Sequence, residues 1–159
     1  MYPNTLLHIN GQWCAAASGR TLPVVNPANH QQIGTVAYAE KTDLDRALES
    51  AEQGYKVWRK VSAFDRCKIM RKAADLFRER ADTVATYMTF EQGKPVGEAK
   101  LEALAGADLI DWFAEEGRRA YGRVIPARAE GIYQLVVKEP VGPRSEERRV
   151  GKECLRLCR

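Results

Sequence analysis

The sequence predicts an α/β fold in which short antiparallel strands precede about four amphipathic helices and one further strand. Asn10-Gly11 separates the apolar runs 6–9 and 12–14. An Asn-Gly pair in this setting is typical of a β-hairpin, because both turn residues accept positive φ. From residue 42 the apolar residues recur at helical spacing instead. Residues 131–137 return to strand character, which completes the predicted order.

Two further strands are predicted between the hairpin and the helices. The apolar runs 23–25 and 33–37 are separated by the turn-forming pair Asn26-Pro27. Because both runs are short and the turn lies between them, we expect them to be antiparallel strands.

The first two helices are predicted from their start signals and apolar stripes. Thr42-x-x-Asp45 resembles a capping box with Asp in place of Glu, and Ser62-x-x-Asp65 repeats the signal. The first stripe contains Leu44, Ala47, Leu48, Ala51, Tyr55 and Trp58. The second stripe contains Cys67, Met70, Ala73, Ala74 and Phe77.

Two more helices follow. The third is expected to begin near Asp82, with Val84, Ala85 and Met88 facing inward, and Gly93-Lys94-Pro95 is expected to end it. The fourth is predicted over 96–121, ending at Gly122, with Leu101, Leu104, Asp108, Trp112 and Phe113 along it.

Charge and composition exclude several classes of protein. The chain has 159 residues and a net charge of +4, of which +3 lies in the last 16 residues. A basic tail can bind nucleic acid, but this one lacks aromatic residues, which disfavours that function. The sequence shows neither a signal peptide nor an apolar run long enough to cross a bilayer. We therefore expect a cytoplasmic protein with reduced thiols.

No residue makes a convincing catalytic or metal site. Cys67 is expected to be a buried structural thiol, Cys14 lacks a catalytic context, and Cys154 and Cys158 lack the further ligands that a metal site needs. His8 and His30 have no partner at a meaningful spacing.

Other chemistry-bearing residues are also expected to be structural. Glu115 and Glu116 point about 100° apart on a helix, so we expect them to be solvated or to pair with Arg118 and Arg119. Lys94 beside a glycine turn could bind an anion, but a helix stop is the favoured interpretation. Trp58, Trp112 and Phe113 are expected to be packing residues.

Five strings in order support a family resemblance. They are Asn26-Pro27-Ala28, Trp58-Arg59, Glu91 to Pro95, Trp112 to Arg119, and Val137 to Pro143. Together they resemble the N-terminal region of NAD(P)-dependent aldehyde dehydrogenases, and the fourth is most similar to the succinate- and 2-oxoglutarate-semialdehyde dehydrogenases. The resemblance covers residues 6–143. It implies that the four helices cover a cofactor-binding sheet, that residues 131–143 enter the oligomerisation sheet, and that most of the Rossmann-like core lies beyond them.

The resemblance also implies a reaction. In the family, a Cys thiolate attacks the aldehyde, hydride passes to NAD or NADP, and the thioester is hydrolysed with help from a Glu. The complete protein is thus expected to oxidise a small semialdehyde and to be a homo-oligomer, without nucleic-acid or membrane partners. The Cys, the Glu, the oxyanion-stabilising Asn and most of the dinucleotide site lie beyond residue 143. We therefore expect no catalytic, cofactor-binding or metal residue in this chain, no bound cofactor and no activity.

The sequence divides at Pro143/Arg144. Residues 1–143 are expected to be the incomplete N-terminal part of the family domain. Residues 144–159 depart from the family, and 144–154 resemble the in-frame translation of a sequencing-library adapter, so we expect an artefactual, disordered tail. The last strand is expected to be an unpaired edge. The alternatives are a stand-alone helical interaction module without catalysis and, less favoured, a nucleic-acid-binding protein.

Overall fold

The computed structural model describes residues 2–145 and confirms the predicted order of strands and helices. Met1 and residues 146–159 lie outside the described part, so the predictions for most of the tail, including Cys154 and Cys158, are not tested by it. The elements are β1 (Leu7–Ile9), β2 (Gln12–Cys14), β3 (Thr21–Val25), β4 (Gln32–Ala37), α1 (Lys41–Trp58), α2 (Ala63–Glu79), α3 (Ala81–Gln92), α4 (Val96–Glu116), a 3-10 turn (Gly117–Arg119), β5 (Arg123–Ile125) and β6 (Gln134–Val136).

The strands form three antiparallel pairs, β1–β2, β3–β4 and β5–β6. The first is the hairpin predicted from Asn10-Gly11, whose φ angles of 52° and 73° are both positive. The N-terminal segment extends the second pair, because Thr5 accepts a hydrogen bond from the Ala37 N–H at 2.8 Å. The predicted antiparallel strands are therefore confirmed.

The start of α1 differs from the prediction. The helix begins at Lys41 with Glu40 as its N-cap, so the capping box placed at Thr42 and Asp45 was wrong. Asp43 accepts the Glu40 backbone N–H at 3.2 Å, and it also accepts the Ala17 N–H. The contact with Ala17 is remote in sequence. Local spacing alone therefore could not distinguish a capping box at Glu40 and Asp43 from one at Thr42 and Asp45.

Two other helix ends follow the sequence signals. The Ser62 Oγ accepts the Asp65 backbone N–H at 3.1 Å, which confirms Ser62 as the N-cap of α2. Gly93 takes the left-handed conformation with φ of 73° and ends α3, donating its N–H to the Thr89 carbonyl at 2.9 Å. These caps depend on local chemistry, and the sequence therefore predicts them well.

The core lies where α4 packs against α2 and α3, and small residues line it. The helix α4 buries Ala99, Ala103, Ala107 and Ala114, while α2 buries Ala74 and α3 buries Ala81 and Ala85. Alanine side chains allow the helices to approach closely, so the larger residues of α4 point elsewhere. The α1 stripe is also uncovered, since Leu44 and Leu48 are exposed among the described residues.

The C-terminal part of the described chain requires two corrections. The helix α4 ends at Glu116 rather than Tyr121, because Gly117 begins a 3-10 turn and the chain is extended again at Arg123. The last strand is shorter than predicted and is paired rather than unpaired, although it remains an exposed edge of a two-stranded sheet within the described residues. β6 pairs with β5, a strand that the sequence analysis missed, with Val124 opposite Leu135.

Candidate functional site

A cluster that combines a thiol, a carboxylate and several cationic side chains lies between α2 and the end of α4. A small cleft of about 190 Å³ is lined by Phe64, Cys67, Lys68, Arg71, Glu115 and Arg118. The Cys67 Sγ donates to Glu115 Oε1 at 3.6 Å, which brings together a thiol and a carboxylate. These are the two groups that a thiol-dependent dehydrogenase needs as nucleophile and base.

The surroundings of this pair oppose catalysis. Glu115 accepts hydrogen bonds from Arg71 at 3.2 Å and from Arg118 at 3.0 Å, so both its oxygens are engaged by cations. Cys67 is only 5% exposed, so a substrate carbonyl cannot reach its sulfur. Arg118 also lies over the Phe64 ring at 4.8 Å. The cluster therefore joins α2 to the end of α4, in agreement with the predicted structural role of Cys67.

The ion pairs predicted for the two adjacent glutamates are confirmed. Glu115 pairs with Arg118, and Glu116 pairs with Arg119. The hydrogen bond to Glu116 raises the pKa of Arg119. The contact between Glu115 and Arg71 was not predicted, because it joins residues 44 positions apart.

Lys94 follows the glycine turn and pairs with Glu102 in α4. The Gly93 backbone also approaches Pro27, since a Cβ built at Gly93 would lie 3.4 Å from the Pro27 ring. The lysine charge is therefore neutralised inside the chain. This geometry favours the helix-stop interpretation over an anion site.

The two histidines lie apart, and each belongs to a hairpin region. The His8 ring contacts the Trp13 ring with centroids 4.8 Å apart, and His30 has a positive φ of 59° in the turn between β3 and β4. Cys14 is a free, partly exposed thiol on β2. Within residues 2–145, no group of three or more His, Cys, Asp or Glu side chains has the geometry to hold a metal ion.

The aromatic residues Trp58, Trp112 and Phe113 are exposed within the described structure. They are not part of the core that residues 2–145 form, and their role as packing residues rather than a substrate cage stays a prediction. Within α4 the buried positions are occupied by alanines instead.

A dinucleotide would need an anion site, and helix N-termini usually provide one. In this chain, the first turn of each of the four helices contains an acidic residue, namely Asp43, Asp65, Asp82 and Glu98. A carboxylate at this position interacts favourably with the positive end of the helix dipole, and its negative charge repels a pyrophosphate. The N-termini of these four helices are therefore unfavourable positions for the phosphates of NAD or NADP, and the absence of a cofactor-binding residue stays a prediction.

Two structurally important groups escaped the sequence analysis. Asp43 is the one buried charged residue among those described, at 1% exposure. Arg78 donates to Asp108 at 2.8 Å and to Asp111 at 2.6 Å, and these hydrogen bonds raise the pKa of Arg78. Both groups act across long sequence separations, since Asp43 bonds Ala17 and Arg78 bonds Asp108 and Asp111. Among residues 2–145, no helix combines the length and apolar character that crossing a bilayer requires.

One family model and several known proteins match this chain. The model of the aldehyde dehydrogenase family matches residues 13–145. The chain is 41% identical to a 4-(hydroxymethyl)benzenesulfonate dehydrogenase of Comamonas testosteroni, over 86% of this chain and 29% of the relative. It is 40% identical to the NADP(+) succinate-semialdehyde dehydrogenase of Escherichia coli, over 84% of this chain and 28% of the relative.

A solved structure extends the similarity to the fold. The succinate-semialdehyde dehydrogenase of Burkholderia pseudomallei superposes with a TM-score of 0.85 at 39% identity, covering 87% of this chain and 29% of that structure. The chain thus spans less than a third of the length of these relatives. The order of strands and helices agrees with the family match over residues 13–145, and this match shows that the chain belongs to the aldehyde dehydrogenase family.

Proposed function

We propose that the complete protein is an NAD(P)-dependent dehydrogenase that oxidises a short acidic semialdehyde to the carboxylate. The family match over residues 13–145 carries this proposal, together with the identity to a succinate-semialdehyde dehydrogenase. Residues 1–143 form the N-terminal scaffold of that enzyme. The family resemblance also leads us to propose a cytoplasmic homo-oligomer without nucleic-acid or membrane partners.

The relatives favour a substrate that carries an anionic group. One is named for succinate semialdehyde, which has a carboxylate, and another for a benzenesulfonate. Both substrates hold their anion away from the carbon that reacts. An aliphatic semialdehyde is our first candidate, because the string from Trp112 to Arg119 resembles that branch of the family.

This chain contributes structure rather than chemistry to the reaction. We propose that it contains no catalytic, coenzyme-binding or metal-binding residue. The closed environment of Cys67, with Glu115 held by Arg71 and Arg118, supports the catalytic part of this proposal. The acidic first turns of the four helices support the part that concerns the coenzyme.

A chimera tests the proposed function. Residues 6–143 would replace the matching segment of the Escherichia coli relative, and the purified chimera would be assayed with succinate semialdehyde and either NAD or NADP. We expect turnover within about tenfold of the parent enzyme, because the grafted segment lacks the reacting groups. A chimera that folds and forms the parent's oligomer but turns over no semialdehyde would contradict the proposal.

A second candidate is a stand-alone helical interaction module. The alanine-lined contacts among α2, α3 and α4 favour it, because they give the helices a core of their own. Calorimetry of residues 1–143 would test this candidate, which requires one cooperative unfolding transition. Gradual unfolding without a heat-absorption peak would exclude it.

A further inference from the structure

Residues 2–5, which we call the N-terminal strap, lie along one edge of β4. The Thr5 N–H donates to the Thr35 carbonyl at 2.7 Å, and the Ala37 N–H donates to the Thr5 carbonyl at 2.8 Å. The Thr35 N–H donates to the Asn4 side chain at 3.1 Å. An edge strand presents backbone groups that need partners. The strap supplies partners for Thr35 and Ala37.

The tip of the N-terminal strap reaches α3 through Tyr2. The Tyr2 hydroxyl donates a hydrogen bond to the Glu91 carboxylate, and the Tyr2 ring meets the Tyr87 ring edge-on with centroids 5.6 Å apart. Gly34 of β4 makes room for this ring, because a Cβ there would lie 2.6 Å from the Tyr2 Cδ1 atom. A glycine inside a strand often marks such a close approach. The strap therefore joins β4 to the C-terminal half of α3.

The bond between Tyr2 and Glu91 is strongest when the phenol carries its proton and the carboxylate is charged, because a charge-assisted hydrogen bond is roughly twice as strong as a neutral one. Partial burial, followed by the hydrogen bond to Glu91, raises the pKa of Tyr2 above its ordinary value of 10.0, so the phenol stays protonated. Tyr87 is the other titratable group that faces this bond. The cation nearest to Glu91 in sequence, Lys94, is paired with Glu102. Among the residues that the structure describes, the Glu91 charge therefore has Tyr2 as its partner.

We propose that the N-terminal strap is a pH-sensitive cover of the β4 edge, and that its tip is released when Glu91 takes up a proton. Protonation removes the charge that strengthens the bond from Tyr2. The weaker neutral bond no longer offsets the conformational freedom that the strap loses when it is held in place. Release separates the Thr35 N–H from Asn4 and opens this edge of β4 to solvent. The change needs only residues of this chain, so it does not depend on the proposed function.

Hydrogen exchange at the Thr35 amide tests the release, because the acceptor of this amide belongs to the strap. NMR would follow the 159-residue chain at pH 7 and pH 4, with each rate compared with that of an unstructured amide at the same pH. The Ala107 amide in the middle of α4 reports opening of the whole chain. We expect the protection of Thr35 to fall at pH 4 about fivefold more than that of Ala107. A fall at Thr35 that is absent, or no larger than that at Ala107, would overturn the proposal.

Two matched substitutions separate the proton on Glu91 from other effects of acid. Glu91→Gln keeps an acceptor without the charge, so it should lower the protection of Thr35 about fivefold already at pH 7 and remove the dependence on pH. Glu49→Gln is the control, because Glu49 is an exposed carboxylate of α1, and it should change the protection less than about twofold. A Glu91→Gln chain that keeps both the wild-type protection and its pH dependence would contradict the role of Glu91.

Gly34→Ala gives a further test that changes no titratable group. The added Cβ would displace the Tyr2 ring, so the Thr35 amide should lose protection at pH 7 as much as it does in Glu91→Gln. Acid should then lower this protection no further, because the tip is already released. Wild-type protection of Thr35 in Gly34→Ala would show that the strap does not cover β4 in solution, and the proposal would fail.

Discussion

The Asp43 carboxylate accepts the Ala17 backbone N–H at 3.0 Å and ties the first turn of α1 to the loop after β2, 26 residues earlier. The same carboxylate accepts the Glu40 N–H at 3.2 Å and lies 3.6 Å from Arg46. One buried side chain therefore caps a helix and fixes the hairpin region beside it.

Replacing Asp43 should destabilise the chain. Asp43→Ala removes a charged acceptor and leaves the Ala17 N–H without it, so we expect a loss of about 2 kcal/mol in the free energy of unfolding. Urea denaturation would measure it. Asp45→Ala is the control, because Asp45 is exposed and pairs only with Lys41 on the surface, and it should cost less than about 0.5 kcal/mol. Equal losses would contradict the role of Asp43.

The two helix starts give a second contrast. Ser62→Ala removes the side-chain oxygen that accepts the Asp65 N–H, so it should lower the free energy of unfolding by about 1 kcal/mol. Thr42→Ala should be nearly neutral or slightly stabilising, because Thr42 lies inside α1 and Glu40 is the N-cap. Thermal unfolding of both variants would show whether Glu40 or Thr42 is the N-cap of α1. A larger loss of stability for Thr42→Ala than for Ser62→Ala would support the capping box predicted at Thr42.

The lowered pKa of Asp65 should make the stability of the chain depend on pH in the acidic range. The hydrogen bond from Lys68, followed by that from Ser62, lowers the pKa of Asp65 below 3.8. Its contribution to stability is therefore fully present above pH 3.8 and is lost as the pH falls through the lower folded pKa. Asp65→Asn should flatten the dependence of the melting temperature on pH in this acidic range. An unchanged slope between wild type and variant would mean that the interaction is absent in solution.

Two glycines should respond in opposite directions to alanine. Gly54 lies within α1, where a Cβ would meet nothing within 4 Å, so Gly54→Ala should stabilise the chain by about 0.5–1 kcal/mol. Gly93 has a φ of 73°, so Gly93→Ala should destabilise it by about 1 kcal/mol. Denaturant midpoints would give both signs, and a stabilising Gly93→Ala would show that α3 ends differently.

The sequence predicted the features that depend on neighbouring residues. Asn10-Gly11, Ser62 and Gly93 each determine a turn or a cap through their own backbone chemistry, and the structure places all three as expected. Asp43 could not be chosen over Asp45 from spacing, because its decisive partner, Ala17, is distant in sequence. β5 was missed because three residues give almost no periodic signal.

Which residues lie in the core was harder to predict than which segments are helical. Apolar spacing in α4 drew attention to Leu101, Trp112 and Phe113, yet Ala103 and Ala107 make the buried contacts. Close helix packing selects small side chains, and hydrophobicity alone ranks them below leucine and tryptophan. The absence of a site was predicted from the family resemblance, and it stays a prediction for the residues that the structure describes.

Steady-state turnover by the purified 159-residue chain tests the central claim most directly. The assay would contain succinate semialdehyde with NAD or NADP, and the chimera with the Escherichia coli relative would serve as the positive control. We predict no reduced coenzyme above the blank for the chain alone. Sustained turnover by the chain, free of any full-length enzyme, would show that it contains its own nucleophile and coenzyme site and would contradict the account.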